Sequence, residues 1–249
     1  MNIIVCVKRV PDTETRIRVG EDGQSIDPGG VKFVVSPYDE FAVEAALRMK
    51  EASGEGEVVA LTLGDSQSQD ALRSALAMGA DRAVLLEGDV TPDGLATARA
   101  LAAEIEGGDA PLVLLGVKAA DDDQQQVGPM LATLLGRPCA TAVSTFELEG
   151  DKVVCRREVE GGTEVVELPL PAVVTVTKGE FEPRYASLKG IMAAKRKPLE
   201  TKSAQTAESR LRVESMELPP EREGGRIVGE GADAVPELVR LLREEANAL

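Results

Sequence analysis

The chain has 249 residues, 43% hydrophobic and 29% charged, a balance that suits a soluble α/β protein able to bury a sizeable core. Its formal charge of −15 argues against a surface built for nucleic acid or for an anionic membrane, because binding phosphate chains takes clustered cations. Histidine is absent, which removes Ser-His-Asp and Cys-His catalysis and most transition-metal sites. Three scattered cysteines, Cys6, Cys139 and Cys155, lack CxxC spacing and support neither a disulfide framework nor a zinc site. The first apolar run is too short for a signal segment and leads into Lys8 and Arg9, and no stretch approaches about 20 apolar residues. These features predict a cytoplasmic protein without membrane insertion.

Short β-branched runs at Ile3 to Val7, Val58 to Leu63, Ala83 to Leu86 and Leu112 to Leu115 read as buried parallel strands. Helical patterns lie between them: Pro37 to Glu51, Ser66 to Met78 closed by Gly79, and Pro92 to Ile105 closed by Gly107. The glycine-containing stretch Arg9 to Val35 reads as a loop or small hairpin. A further helix, Val127 to Leu135, precedes alternating strands at Ala142 to Leu148, Lys152 to Glu158 and Thr163 to Leu168, with hairpin turns at Glu149-Gly150-Asp151 and Glu160-Gly161-Gly162. Ala172 to Thr177 is apolar again and is expected back in the main sheet. Beyond Gly179 the chain turns polar, and Ser203 to Glu230, with Pro219-Pro220, cannot bury a core of its own. Val235, Leu238, Val239, Leu241 and Leu242 form an apolar stripe on a final helix, which could fold back on its own domain or lie on a partner. The fold class is therefore α/β: an open, mainly parallel twisted sheet with helices on both faces, a small antiparallel hairpin region and a C-terminal arm. Residues 1–180 are expected as the α/β domain, 181–200 as a recognition loop, and 201–249 as an extended linker and helix.

In open α/β sheets, ligands sit beyond the carboxyl ends of the strands, where helix N-termini present unpaired N–H groups. Four segments reach that edge: Cys6-Val7-Lys8-Arg9, Thr62-Leu63-Gly64-Asp65, Leu115-Gly116-Val117-Lys118 and Ser36-Pro37-Tyr38-Asp39. In the last, Ser36 is expected as an N-cap, Pro37 as the first helical residue, and Asp39 at the acidic position of a capping box. The run from Val117 and Lys118 through Ala119, Ala120, Asp121, Asp122, Asp123, Gln124, Gln125 and Gln126 to Val127 and Gly128 packs three carboxylates and three amides into one polar loop. Plain capping, a Mg²⁺ site or a nucleotide site all remain open for it; the amides and the following helix start suit ribose hydroxyls and phosphate best. No GxGxxG follows the first strand and no GxxxxGK[ST] occurs, so a nucleotide would be held differently from either fingerprint.

Residues 184–197 carry Arg184, Lys189, Lys195, Arg196 and Lys197 with no acid among them, on a strongly acidic chain. Leu188, Ile191 and Met192 form an apolar group within that polar segment, as in a protruding loop with a partner pocket to fill. The segment Glu182-Pro-Arg-Tyr-Ala-Ser-Leu-Lys-Gly-Ile-Met-Ala-Ala-Lys-Arg-Lys197 resembles the recognition loop of electron transfer flavoprotein β subunits. It comes with Val7-Lys8-Arg9-Val10, Ser36-Pro37-Tyr38-Asp39-Glu40, Ala75-Leu-Ala-Met-Gly-Ala-Asp81 and Asp121-Asp-Asp123, in order, from Met1 to about Leu199.

The resemblance implies a heterodimer whose α subunit binds most of the FAD, while the β subunit holds a structural AMP and has no catalytic residue of its own. Carried over by position, AMP contacts fall at Cys6, at Ser36, Pro37, Tyr38 and Asp39, at Leu63, and across Val117 to Gly128. The family's usual residue at position 36 is Asn, so Ser36 keeps an oxygen but lacks the amide donor. Tyr38 is the implied neighbour of the flavin, and an aromatic that some β subunits place near the ring is absent at Thr13. Leu188 is the implied plug into acyl-CoA dehydrogenases, with Arg184, Tyr185, Ile191, Met192, Lys195 and Lys197 around it, and a membrane quinone oxidoreductase is the implied acceptor. One branch of the family holds a second FAD in place of AMP. Val10-Pro11-Asp12-Thr13 and Val127-Gly128-Pro129 resemble that branch; Asp122, where it tends to have glycine, resembles the AMP branch. A stand-alone adenine-nucleotide module of the universal-stress type would share the sheet but not the 182–197 segment.

Overall fold

The computed structural model of the protein describes residues 1–88, 93–205, 208–221 and 224–249. The apolar runs make the middle of a seven-stranded sheet. β1 (Ile3–Cys6) lies between β4 (Val58–Gly64) and β6 (Leu112–Gly116), with Val5 in register with Ala60 on one side and Leu114 on the other. β5 (Arg82–Glu87) and β12 (Leu199–Ser203) extend it beyond β4, and β11 (Ala172–Val176) and β7 (Cys139–Val143) extend it beyond β6. All neighbours in the order β12-β5-β4-β1-β6-β11-β7 run parallel.

Helices cover both faces, which is why the central strands read as continuous rather than alternating apolar runs. α1 (Pro37–Ser53) and α2 (Gln69–Met78) bury Ala42, Ala46, Leu72 and Leu76 with Ile3, Val5 and Ala60. α3 (Gly94–Glu106) and α4 (Val127–Leu135) bury Leu101, Ile105 and Leu131 with Ile4, Cys6 and Leu61 on the other face. The chain moves outward from β1 through β4 to β5, then returns to the far side of β1 at β6. A crevice forms where the strand order reverses in this way, between the ends of β1 and β6.

The expected hairpins form a separate three-stranded antiparallel sheet: β8 (Thr145–Glu149), β9 (Lys152–Val159) and β10 (Gly162–Pro169). Its Phe146, Val153, Cys155 and Leu168 join the core on the α1 face. The single strand expected over 142–148 is divided. Ala142 sits at φ 55 with its N–H donating to Thr175 Oγ1 (3.0 Å), and the Ser144 N–H donates to the Arg156 carbonyl (2.9 Å), so the chain leaves one sheet for the other there. β2 (Arg9–Pro11) and β3 (Phe33–Val35) pair antiparallel and close the Arg9 to Val35 excursion.

The helix expected from Ser66 opens with a 3₁₀ turn, Ser66–Ser68, capped by the Asp65 carboxylate, and becomes α-helical at Gln69. Asp93 caps α3 through the N–H groups of Leu95 and Ala96, while Pro92, the expected start, lies outside the described residues. So do 206–207 and 222–223 of the expected linker. Segment 182–197, expected as a recognition loop, contains α5 (Leu188–Ala194), whose first turn is capped by Ser187 Oγ accepting from the Gly190 N–H (3.0 Å). β12 is a strand that the polar sequence Leu-Glu-Thr-Lys-Ser did not announce, and it carries the first compact unit, Met1–Met216, past residue 200.

Glu217–Leu249 is a second unit, containing α6 (Val235–Glu244), on which Arg240 pairs with Glu237 and Glu244. No helix among the described residues is long and apolar enough to cross a membrane.

Candidate functional site

The crevice between β1 and β6 is a real cleft. Cys6, Asp39, Leu63, Val117, Lys118, Ala119, Asp122, Gln124, Gln125, Gln126, Val127 and Gly128 all line it, so residues far apart in the chain converge as expected. Ser36, Pro37, Tyr38, Ala120, Asp121 and Asp123 stand behind or beside it. Lys8, Arg9, Gly116, Ser68 and the first turns of α3, at Gly94, Thr97 and Leu101, also line it. The α3 contribution was missed; its signal is Asp93-Gly94, a cap and a small residue opening a helix of small side chains.

The floor is organised by Asp39. The capping box expected at this helix start does not form, because Ser36 makes no side-chain cap and Asp39 points away from it. Asp39 instead accepts the N–H of Lys8 at Oδ2 (2.7 Å) and the N–H of Gly116 at Oδ1 (3.0 Å), joining the ends of β1 and β6 to the first turn of α1. Ser36 Oγ accepts from the Ala120 N–H (3.3 Å) and is fully buried. Burial is the main influence on Asp39 and raises its pKa to about 7, against the two backbone donors that lower it. The Cys6 thiol, also buried and near Asp39, is raised as well. Two glycines are required by space alone. A Cβ on Gly116 would stand 2.5 Å from Asp39 Oδ1, and one on Gly128 would stand 2.3 Å from Thr175 Cγ2.

The mouth is organised by charge. Lys8 Nζ bonds Asp121 Oδ1 and Asp122 Oδ2, each at 2.8 Å. Burial works against the Lys8 charge, but the two carboxylates outweigh it and leave the pKa above the ordinary lysine value. Lys118 Nζ pairs with Asp123 Oδ2 at 2.7 Å and lies 5.6 Å from the centroid of the Tyr38 ring. Asp123 and Gln125 hold positive φ, 51° and 57°, a conformation that bulky residues keep only when their surroundings impose it. Arg9 differs from both lysines. Its guanidinium lies 3.7 Å from the Phe33 ring centroid, donates through Nη2 to the neutral Gln67 Oε1 (3.2 Å), and has a buried Nε without a protein partner among the described residues.

These features fit a nucleotide. α4 begins at the cleft without a side-chain cap, so its first N–H groups and dipole are free for an anion. Arg9 adds a cation with no carboxylate on it among the described residues. Cys6, Leu63 and Leu115 add apolar wall for a base. Among the described residues no cluster of carboxylates, cysteines or histidines could hold a metal ion, which gives the Mg²⁺ reading of the Asp triplet no support from the geometry.

The expected partner residues divide into two groups. Tyr185 (99% exposed), Leu188 (85%), Met192 (65%) and Ile191 (44%) stand out from the surface. Lys195 is exposed as well. Arg184 and Lys197 are engaged inside the subunit. Arg184 forks across the carboxylates of Glu44 (Nε to Oε2, 2.7 Å) and Glu51 (Nη2 to Oε2, 3.0 Å) on α1, which raises its pKa. Lys197 Nζ donates to the carbonyls of Leu76, Gly79 and Ala80. Both charges, expected around Leu188 at a partner, are engaged within this subunit. Between this segment and α1 runs a larger groove of 1100 Å³, lined by Pro37, Phe41, Met78, Tyr185 and Ile191 among others.

Fold and cleft together define a doubly wound α/β protein whose ligand crevice lies at the reversal of a parallel sheet. The family model described as electron transfer flavoprotein domain matches residues 25–207. Curated relatives named electron transfer flavoprotein subunit beta align along nearly the whole chain. That of Bradyrhizobium diazoefficiens is 41% identical over 100% of both chains. That of Bos taurus is 41% identical over 98% of both. That of Syntrophomonas wolfei is 42% identical over 90% of this chain and 88% of its own. The chain belongs to the electron transfer flavoprotein family, among its β subunits.

Proposed function

We propose that this subunit binds a structural AMP in the β1–β6 cleft, pairs with an α subunit that carries most of an FAD, and docks acyl-CoA or related dehydrogenases whose electrons pass onward to a membrane quinone oxidoreductase. FAD supplies the redox chemistry; the residues of this chain bind, orient and dock, and none is assigned a catalytic role. The observation that carries the reading is the convergence on one cleft, at the strand-order reversal, of an α4 N-terminus without a side-chain cap and of Arg9, whose buried Nε has no partner among the described residues. The phosphate meets the first N–H groups of α4 at Val127 and Gly128, while Gln124, Gln125 and Gln126 reach ribose and base edges. Asp122 supports a mononucleotide over a second FAD. It takes half of the Lys8 pair at the mouth, a contact that glycine, usual there in the branch with two flavins, lacks.

Tyr38 lies outside the cleft lining, beside Lys118, and Pro37 lines the larger groove; Tyr38 is the residue we assign as neighbour of the α-bound flavin, on the family resemblance. Leu188 and Met192 provide the anchor of a docking face, and burying a leucine contributes roughly 1.5–3 kcal/mol, enough to localise a carrier that must leave again. The test is to co-purify the chain with its α partner, denature the complex and quantify released nucleotides. One FAD and one AMP per heterodimer is the expected result. Two FAD would replace the AMP assignment with the two-flavin branch, and failure to find a stable partner would overturn the heterodimer.

A further inference from the structure

Segment 182–197 presents its apolar side chains from a backbone that is pinned at both ends. At its front, Arg184 is forked across Glu44 and Glu51, and Arg48 donates to the carbonyls of Glu180 (3.0 Å) and Glu182 (3.3 Å). At its back, two helices exchange cations. Arg73 Nη1, on α2, donates to the carbonyls of Ala194 (2.6 Å) and Lys197 (3.0 Å) where α5 ends. Lys197 Nζ, just past α5, donates to the carbonyls of Leu76 (3.0 Å), Gly79 (3.2 Å) and Ala80 (2.5 Å) where α2 ends. The last carbonyls of a helix lack intrahelical donors and carry partial negative charge, so each cation satisfies what the opposite helix leaves open. Between these bonds the two backbones touch: a Cβ on Gly190 would lie 2.5 Å from the Ala77 carbonyl oxygen.

α5 has seven residues, too few to persist as a helix without tertiary support. We propose that Arg73 and Lys197 are positioning residues for partner docking, keeping α5 folded and its Leu188–Met192 face turned outward before a dehydrogenase arrives. The inference rests on the docking reading above and adds how that face is prepared. A segment that ordered only on contact would lose conformational entropy at each encounter, and a carrier with one leucine anchor has little binding energy to offset it. Pre-ordering by residues remote from the partner removes that loss.

The test uses the αβ heterodimer with an acyl-CoA dehydrogenase reduced by its acyl-CoA substrate, following reduction of the bound flavin. Lys197→Met should raise the KM for the flavoprotein about tenfold with kcat and FAD content unchanged. In the same variant amide exchange across 188–196 should quicken at least about tenfold while β4 stays protected. Lys197→Arg, which keeps a cation over the α2 carbonyls, should restore both. If Lys197→Met does not yield folded heterodimer, Gly190→Ala, which pushes α5 off α2 through the Ala77 carbonyl, replaces it with the same expectations. Leu188→Ala serves as the control for docking itself. If it leaves KM unchanged, the docking reading falls, and this inference with it. If it raises KM while the anchoring variant leaves KM or α5 exchange unchanged, docking stands and the positioning role is overturned.

Discussion

Replacing Asp39 by asparagine tests the floor of the cleft. The carboxyl is buried, and burial, opposed by the N–H groups of Lys8 and Gly116, raises its pKa from 3.8 to about 7. Between those values the folded protein holds a proton that the unfolded chain releases. The stability from this proton is therefore complete below pH 3.8 and is lost as pH rises through 7, at up to about 1.4 kcal/mol per pH unit. Over the full interval the loss is about 4 kcal/mol, of which about 3 falls between pH 5 and 8. Asp39→Asn keeps one acceptor and turns an N–H group toward the other backbone donor, a pH-independent cost of about 1–3 kcal/mol. Carboxylates remote from Asp39 titrate alike in both proteins and cancel in the difference. Urea unfolding at pH 5, 6, 7 and 8 should thus show the wild-type advantage over Asp39→Asn shrinking by about 3 kcal/mol across the series, with m-values unchanged. A difference constant to within about 0.5 kcal/mol, or one that grows with pH, would refute the account of Asp39 as a desolvated carboxyl.

Gly128→Ala brings a methyl to 2.3 Å from Thr175 Cγ2, and overpacking of that kind costs about 1–3 kcal/mol. It also moves the start of α4, so bound nucleotide per heterodimer should fall along with the melting temperature. Arg184→Ala leaves Glu44, whose side chain is 3% exposed, with Arg48 as its remaining partner, and should cost about 1.5–3 kcal/mol in denaturant melts at pH 7. Burial pushes Glu44 up and the two arginines outweigh it, placing its pKa below 4.5. The contribution of the pair is present above that pH and is lost as pH falls through the folded value, so the deficit of the variant should close on acidification. The three thiols are free, and burial raises the pKa of all three, that of Cys155 to about 12. A thiol reagent at pH 8 should therefore label the native chain slowly and react with three groups on denaturation.

What the sequence made legible depends on how local the cause is. β1, β4, β5, β6 and β11 announced themselves because strands buried on both faces need unbroken apolar residues, and α4 runs from Val127 to Leu135 as its pattern and closing glycine indicate. β12 was invisible because an edge strand joined to β5 alone is held by backbone pairing, which leaves no apolar signature in Leu-Glu-Thr-Lys-Ser. The break at Ser144 was hidden because both halves of 139–149 favour extended backbone, and only the approach of Thr175 and Arg156 separates them. Capping rules look three residues away. They assigned Ser36 and Asp39 to one another, while the actual partners lie at Ala120, Lys8 and Gly116.

The same distinction separates the cleft from segment 182–197. The cleft is made mostly from backbone: strand ends, helix N-termini and glycines placed by topology, so a topological rule located it before any side-chain partner was known. Segment 182–197 is placed by long-range side-chain bonds, Arg184 to Glu44 and Glu51, Arg73 to Ala194, Lys197 to Leu76, none of which has a local pattern. Its basic residues therefore looked alike in the sequence, although some anchor and others are presented. Arg184 and Lys197 are satisfied by the fold, and Lys189, Lys195 and Arg196 are exposed in the same segment as Leu188 and Met192. On the docking reading proposed above, these exposed cations, on a chain of charge −15, would favour encounter with an acidic partner surface, and the apolar side chains would supply the contact that holds it. α1 links the cleft to segment 182–197: its first turn carries Asp39 at the cleft floor, and Glu44 and Glu51, five and twelve residues further on, hold Arg184. On the reading proposed above, a nucleotide that fixes the strand ends against Asp39 would also fix the helix on which segment 182–197 is hung, and so would have a structural role without redox chemistry.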